Sequence, residues 1–361
     1  MNLEILWFCL VAVLWSGYLV LEGFDFGVGM LLPFLPRDER ERSVMFETIG
    51  PVWDGNEVWL VVAGGATFAA FPAWYGTMFS GFYLALLLIL FFLIVRVVSF
   101  EWRGKGHGPH WRRVWLLANA AGSTGIAFIW GVALSSLLHG VPIGSDGSYA
   151  GTFWDLFTGY SVLGGIAFVL VFAFHGASFL TLRTTGDLCE RARRAARVLA
   201  VPAVGVGGGY LIWTVAVAVD RNDKDVFPPV LPAAIAIAGL VLAGFLVYRG
   251  RSAPAFALGS LATISVVATL FTSLYPRVMV SNPDFANSLT VSSASSAHYT
   301  LAVMSVVALI CLPLVLLYQG WTYYVFRARV TGDEVRSPAE LLDQRAGQAG
   351  GDELSSPPAA T

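Results

Sequence analysis

The chain is dominated by apolar runs, each long enough to cross a lipid bilayer. A hydrocarbon layer ~30 Å thick takes ~20 helical residues. Stretches of that kind recur at 5–33, 49–71, 77–98, 114–138, 158–181, 199–219, 229–248, 256–275 and 299–326. They predict an all-α integral membrane protein of about nine transmembrane helices. Only 13% of the residues are charged, about half the share usual in soluble proteins, and the mean hydropathy is +0.68. A chain this apolar needs lipid as its solvent. The ends of the sixth and seventh spans are the softest, because Val201-Pro202, the glycines from Gly205 to Gly209 and Pro228-Pro229 fall there.

The distribution of Lys and Arg orients the spans. With the N-terminus outside, the inner loops 34–48, 99–113, 182–198 and 249–255 and the segment after residue 326 hold 18 basic residues, against 3 in the outer loops. That asymmetry is strong by the positive-inside rule. An even number of spans would scramble it, so span count and orientation support each other. The expectation is an outer N-terminus and a cytoplasmic C-terminus. The segment Met1 to Glu4 has no basic region and no small-residue cleavage site follows, so the first run reads as a retained helix. Phe71, Trp74 and Tyr75, then Phe153, Trp154 and Phe157, then Trp321, Tyr323 and Tyr324 collect at span ends as aromatic belts would. Residues 1–326 form the helical domain, and 327–361 read as a polar, disordered cytoplasmic tail.

Several function classes fall away. The net charge of −2 leaves no basic field for nucleic acid. Cys9, Cys189 and Cys311 make no C-x-x-C pair, and Cys9 and Cys311 read as small buried hydrophobes rather than metal ligands. No Walker A loop, H-E-x-x-H or histidine cluster is found.

The informative residues are the polar ones inside spans, each costing about 2.5–3.5 kcal/mol at mid-helix. In Glu22-Gly23-Phe24-Asp25-Phe26-Gly27-Val28-Gly29, the two acids lie three apart on one helix face, and the glycines leave room for a close partner helix. Asp25 is either wet near the headgroups or a functional carboxylate. In Gly50-Pro51-Val52-Trp53-Asp54-Gly55-Asn56-Glu57-Val58-Trp59-Leu60, Asp54 and Glu57 again share a face, with Asp54 about five residues inside the second span. Two acids beside an asparagine resemble the mouth of a proton path; a structural hydrogen-bond cluster is the plainer reading. Arg96 either snorkels to the headgroups or pairs with one of these acids. His175 is isolated. A haem ligand usually needs a second residue or an open pocket, so an interhelical hydrogen bond is the better expectation.

These stretches, with His175-Gly176-Ala177, resemble subunit II of the cytochrome bd-type quinol oxidases, over nearly all of residues 1–326. The resemblance implies two four-helix bundles, roughly 1–138 and 158–275, with an extra peripheral helix at 299–326. It implies a bacterial plasma membrane and an obligate partner, subunit I, which carries two b-type haems, one d-type haem and the quinol site. This chain would ligate no haem. Quinol and oxygen are the substrates implied for the complex, and small accessory subunits and a bound quinone or lipid are compatible with it. By the same resemblance, Asp54 matches an acid on the proton path with Asp25 nearby, and Trp59 a tryptophan near an oxygen route. Glu57 joins that path in our reading, Arg96 and Glu22 form a supporting ion pair, and His175 and Asn56 are structural polar groups. The alternative is a secondary transporter whose acids bind a proton or cation. The orientation is testable: a reporter active only in the cytoplasm should be active when fused after Arg329. Silence there, with activity in loop 139–157, would overturn the topology.

Overall fold

The computed structural model describes residues 2–106, 108–225 and 227–332. Twelve helices run through them: α1 (Leu3–Leu31), α2 (Glu39–Ile49), α3 (Trp53–Ala70), α4 (Pro72–Gly81), α5 (Tyr83–Trp102), α6 (Pro109–His139), α7 (Gly159–Arg183), α8 (Gly186–Asn222), α9 (Phe227–Tyr248), α10 (Ser252–Leu274), α11 (Val291–Ala294) and α12 (His298–Val325). Among the described residues eight are long and apolar enough to cross a membrane, namely α1, α5 to α10 and α12. The count is thus one fewer than the sequence suggests. The helix that drops out is α3, which has 18 residues, about 27 Å at 1.5 Å per residue. Asp54, Asn56 and Glu57 in its first turns make it too polar to qualify.

Local chemistry explains where the boundaries moved. The expected span 49–71 divides at Gly50-Pro51-Val52, so α2 is a separate helix and α3 begins only at Trp53. Pro72 opens α4 at its first helical position, where its missing N–H costs nothing. Phe71 and Trp74 are then carried into the core, at 0% and 2% exposure, and leave the aromatic belt to residues such as Trp154 and Trp321. Pro202 does not end a helix: α8 passes through it for 37 residues, ~55 Å. Its arginine-rich first turns extend beyond the apolar part, where the Arg191 guanidinium meets Glu41 at 2.5 Å and donates to the Leu35 carbonyl at 2.8 Å. Cys9 and Cys311, expected to be buried, are exposed on the outside of the bundle.

α1, α3, α5 and α6 pack in one group and α7 to α10 in another, joined by α6 against α7 and by α1 crossing α7 and α10. α12 lies outside both, with 6% of its apolar window buried. The α1–α7 crossing is set by glycine. A Cβ on Gly27 would stand 2.0 Å from the Phe172 carbonyl oxygen, and one on Gly176 would stand 2.3 Å from the Gly27 carbonyl carbon. Backbones this close are the usual membrane-helix solution, since lipid offers no hydrophobic drive between helices. The opposite end of the helices is closed by the 276–298 segment: the Val141 N–H donates to Val280 at 3.0 Å, the Asn282 N–H to Val141 at 3.0 Å, and Arg277–Met279 pairs with Leu289–Thr290.

At the arginine-rich end, Arg183 donates to the carbonyls of Phe326 and Ala328, and the Val330 N–H donates to the Arg183 carbonyl at 2.7 Å. The chain is therefore held to residue 330, four residues into the predicted disordered tail; from residue 333 onward that expectation lies outside the described residues. Outside the membrane at this end, burial holds the Arg103 guanidinium below its ordinary value while Glu39 acts against the shift. Arg103 pairs with Glu39 and lies over the Phe46 ring at 5.0 Å. The glycine crossing is testable by Gly176→Ala, for which no space exists. It should cost the purified protein at least the ~1–3 kcal/mol of an overpacked core, read as a lowered melting temperature in detergent. Gly209→Ala, with open space around the added methyl, serves as the unaffected control.

Candidate functional site

The polar residues of α1, α3 and α5 meet inside the first helix group, towards the arginine-rich end. Glu22, Asp25, Asn56 and Arg96 are each 0% exposed. Arg96 Nη1 lies 3.3 Å from Glu22 Oε2 and 3.9 Å from Glu57 Oε2. Its guanidinium also sits over the rings of Phe26 at 5.0 Å and Phe100 at 5.4 Å. Arg96 is thus not snorkelling to the headgroups; it is walled by two aromatic rings and two acids. Asp25 is likewise not wet. Its Oδ2 accepts from Asn56 Nδ2 at 2.8 Å.

Each position has a local cause. Glu22 and Asp25, three apart, project to adjacent neighbours of α1, the former to α5 and the latter to α3. α1 can come close because of its small residues: a Cβ on Gly29 would meet Ser123 Oγ at 2.1 Å, and one on Gly17 would meet the Trp59 ring at 2.4 Å. Trp59, 7% exposed, therefore packs against α1. Arg96 is held from behind, where Ser99 Oγ donates to the Arg96 carbonyl at 2.5 Å and Asn119 Nδ2 donates to Ser99 Oγ at 2.7 Å.

Asp54 stands apart from this buried group. Because α3 begins at Trp53, Asp54 occupies the first turn rather than five residues inside, and it is exposed. A carboxylate is favoured there by the unpaired N–H groups of the helix start. Glu57, one turn further on, has 23% of its side chain exposed and bridges the rim to Arg96. The electrostatics are unbalanced: Glu22, Asp25 and Glu57 face one guanidinium in a medium where unpaired charge is costly.

Two partners went unrecognised in the sequence. Gln319 Nε2 donates to Asn56 Oδ1 at 2.9 Å, and Tyr323 Oη donates to the same oxygen at 2.8 Å. Their spacing of four residues puts both on one face of α12, which was a readable signal. His175 lies elsewhere, in the α1–α7–α10 contact. Its ring stacks on Phe256 at 4.6 Å within 2° of parallel and meets Phe24 edge-on at 6.0 Å. The ring is held mainly by this aromatic packing, and the Val20 backbone of α1 is the polar neighbour expected of an interhelical hydrogen bond, lying outside the strict geometry of one. A Cβ on Gly259 of α10 would stand 3.1 Å from His175 Nδ1.

This is a multi-pass helical membrane protein with an acid–arginine cluster buried between its first helices. It belongs to the cytochrome bd terminal oxidase subunit II family, whose model matches residues 3–326. It is 42% identical over 338 residues to the cytochrome bd ubiquinol oxidase subunit 2 of Bacillus subtilis, covering 92% of this chain and 98% of that one. It is 34% identical over 372 residues to the cytochrome bd-I ubiquinol oxidase subunit 2 of Escherichia coli K12, covering 94% and 98%. The fold is that of a chain in the structure of bd oxidase from Geobacillus thermodenitrificans, with a TM-score of 0.73, 19% identity and coverage of 90% and 99%. The protein is a subunit of a bacterial membrane oxidase, and the secondary-transporter alternative loses its ground.

The buried pair makes a sharp prediction. Arg96→Gln should strand Glu22, at the ~3–5 kcal/mol typical of breaking a buried ion pair, and sharply reduce recovery of the assembled complex. Full recovery of an Arg96→Gln complex would show that the pair does not support the fold.

Proposed function

We propose that this chain is the subunit of a cytochrome bd-type quinol:oxygen oxidoreductase that ligates no haem. In this reading it supports assembly of the haem-bearing subunit I and lends intramembrane acids to the path by which cytoplasmic protons reach the site of oxygen reduction. The observation that carries it is the set of three carboxylates, Glu22, Asp25 and Glu57, gathered around Arg96 with Asp54 at the rim. A purely structural ion pair needs one acid per base. Surplus acids in a low-dielectric interior are suited to taking up and releasing protons.

The chemistry follows from depth. Asp54, in the exposed first turn of α3, receives a proton from cytoplasmic water. Glu57, one turn inward, receives it next and stands against Arg96. Arg96 stabilises the negative charge left behind when a proton moves on, and Glu22, which meets the same guanidinium nitrogen, keeps that group fixed. Asp25 accepts the Asn56 hydrogen bond and offers a second proton-carrying group at the same depth. The haems supply electron transfer and oxygen chemistry on the partner. This chain's best candidate for a ligand fits a haem poorly, since the His175 imidazole is pressed flat against Phe256 with a second ring at its edge. An oxygen route past Trp59 belongs to the same proposal. A lipid or quinone suits the apolar groove of 560 Å³ between α1, α3, α4, α5 and α6, lined by Trp15, Leu60, Phe68, Phe79, Leu86 and Trp130 among others. Accessory subunits are compatible with the broad exposed faces of α5 and α12.

The test is quinol-driven oxygen uptake per haem d in the purified complex. Asp54→Asn keeps size and hydrogen bonding but removes the exchangeable proton. It should assemble with its haems and lose most of its uptake, and Glu57→Gln should lose less. Wild-type uptake in Asp54→Asn across the working pH range would end the proton-path role for that residue.

A further inference from the structure

α12 poses a problem of placement. Almost all of its surface faces outward, and Leu301 is its one buried residue among those described. Yet near its arginine-rich end it carries Gln319 and Tyr323, polar groups that cost energy in lipid unless they are used. Both are turned inward and both donate to one atom, Asn56 Oδ1, at 2.9 and 2.8 Å. The helix is tied to the body at its other end as well, where Trp7 Nε1 donates to the Leu301 carbonyl at 3.1 Å and to Ser305 Oγ at 3.0 Å. Two polar attachments hold a helix whose apolar packing is slight.

Asn56 is fully buried, and its side chain can point its oxygen or its NH2 group at Asp25. An amide oxygen has two lone pairs, and here each meets a donor. Turning the amide over would face its NH2 to the Tyr323 hydroxyl, whose only acceptor among the described residues is Asn56 Oδ1. Gln319 could turn with Asn56 and present its own oxygen. Tyr323 is half-buried and lines a pocket with Phe24, Thr48, Arg183 and Arg327, so its O–H would have to exchange Asn56 for the Gln319 oxygen or for water. Only the present orientation pairs all three side chains directly. The NH2 of Asn56 is therefore kept aimed at Asp25 Oδ2, which it meets at 2.8 Å.

An NH2 group is only a donor, so the oxygen it meets must act as an acceptor. A proton carried by Asp25 is favoured on the other oxygen, because the unprotonated carboxyl oxygen is the stronger acceptor. Asp25 Oδ1 is buried and has no hydrogen-bond partner among the described residues, which leaves it open to bear one. We propose that Tyr323, with Gln319, is a positioning residue that locks the Asn56 amide and so directs the exchangeable proton of Asp25 to Oδ1. This rests on the proton-handling role assigned above to Asp25. It makes the peripheral helix a determinant of how that carboxyl is presented.

The lock is read by infrared difference spectroscopy on the intact purified complex. The Asp25 carboxyl bands are identified by their loss in Asp25→Asn or, if that variant does not assemble, by their displacement in Asp25→Glu. In the double variant Tyr323→Phe with Gln319→Leu, the bands should shift or split as the amide samples both orientations. Oxygen uptake per haem d should fall roughly tenfold, the scale of one buried hydrogen bond, with Tyr323→Phe alone giving the larger share. Bands unchanged in an assembled double variant would overturn the lock, whatever the uptake does. A fully active Asp25→Asn complex would instead remove Asp25 from the proton path, and the band shift would still decide whether α12 orients the amide.

Discussion

The arrangement of the first helix group depends on one buried cation. Arg96 sits on α5 with no exposure at all, and a guanidinium in that setting must be neutralised from nearby or the helix cannot remain in the membrane. Glu22 on α1 and Glu57 on α3 supply the charge. Phe26 and Phe100 cover its faces. Three helices are thereby fixed around one group, and α6 joins them through Asn119 and Ser99 on the backbone behind it. Apolar packing alone would leave those helices free to slide, because Leu against Leu and Leu against lipid differ little in energy. A charge with a single set of partners permits one register.

The acid-bearing stretch of α1 can reach all these neighbours because it has so little bulk. Gly23, Gly27 and Gly29 alternate with Phe24, Asp25, Phe26 and Val28. Gly27 meets Gly176 of α7 on one side while Gly29 meets Ser123 and Asn119 of α6 on another. The same few residues thus supply the charge, the aromatic cover of the cation and the close approach. That concentration explains why α1 lies at the junction of the two helix groups rather than at an edge.

How much of this could be read beforehand follows from the solvent. In lipid a charged or amide side chain is conspicuous against an apolar run, so Glu22, Asp25, Asn56, Glu57 and Arg96 stood out from sequence alone. Apolar residues carry no such signal. Lipid-facing and core-facing positions are equally hydrophobic, which is why Cys9 and Cys311 were expected inside and lie outside, and why Phe71 and Trp74 were expected at the interface and lie within. Tyr323 was hidden among aromatics at a span end, where a belt is the default explanation, and Gln319 beside it drew no notice. The closure between the 139–157 and 276–298 segments was unreadable for a different reason: it is built largely from backbone hydrogen bonds, which leave no mark on residue type.

The balance of charge then bears on purpose. A buried ion pair is seldom the most stabilising filling for its space, since apolar residues of the same volume commonly do as well or better. Burying a third and a fourth ionisable group near the same guanidinium is harder still to explain by stability. Glu57 is the telling case, because 23% of its side chain remains accessible and Arg96 already has Glu22 as a counter-charge at 3.3 Å. A residue that touches both the rim and the buried cation, and that adds charge the fold does not need, is better explained by traffic between the two environments. In the proposed reading Glu22 and Arg96 belong to the architecture, whereas Asp54, Glu57 and Asp25 serve the proton path. The Asn56 amide, held by α12, is where the two meet.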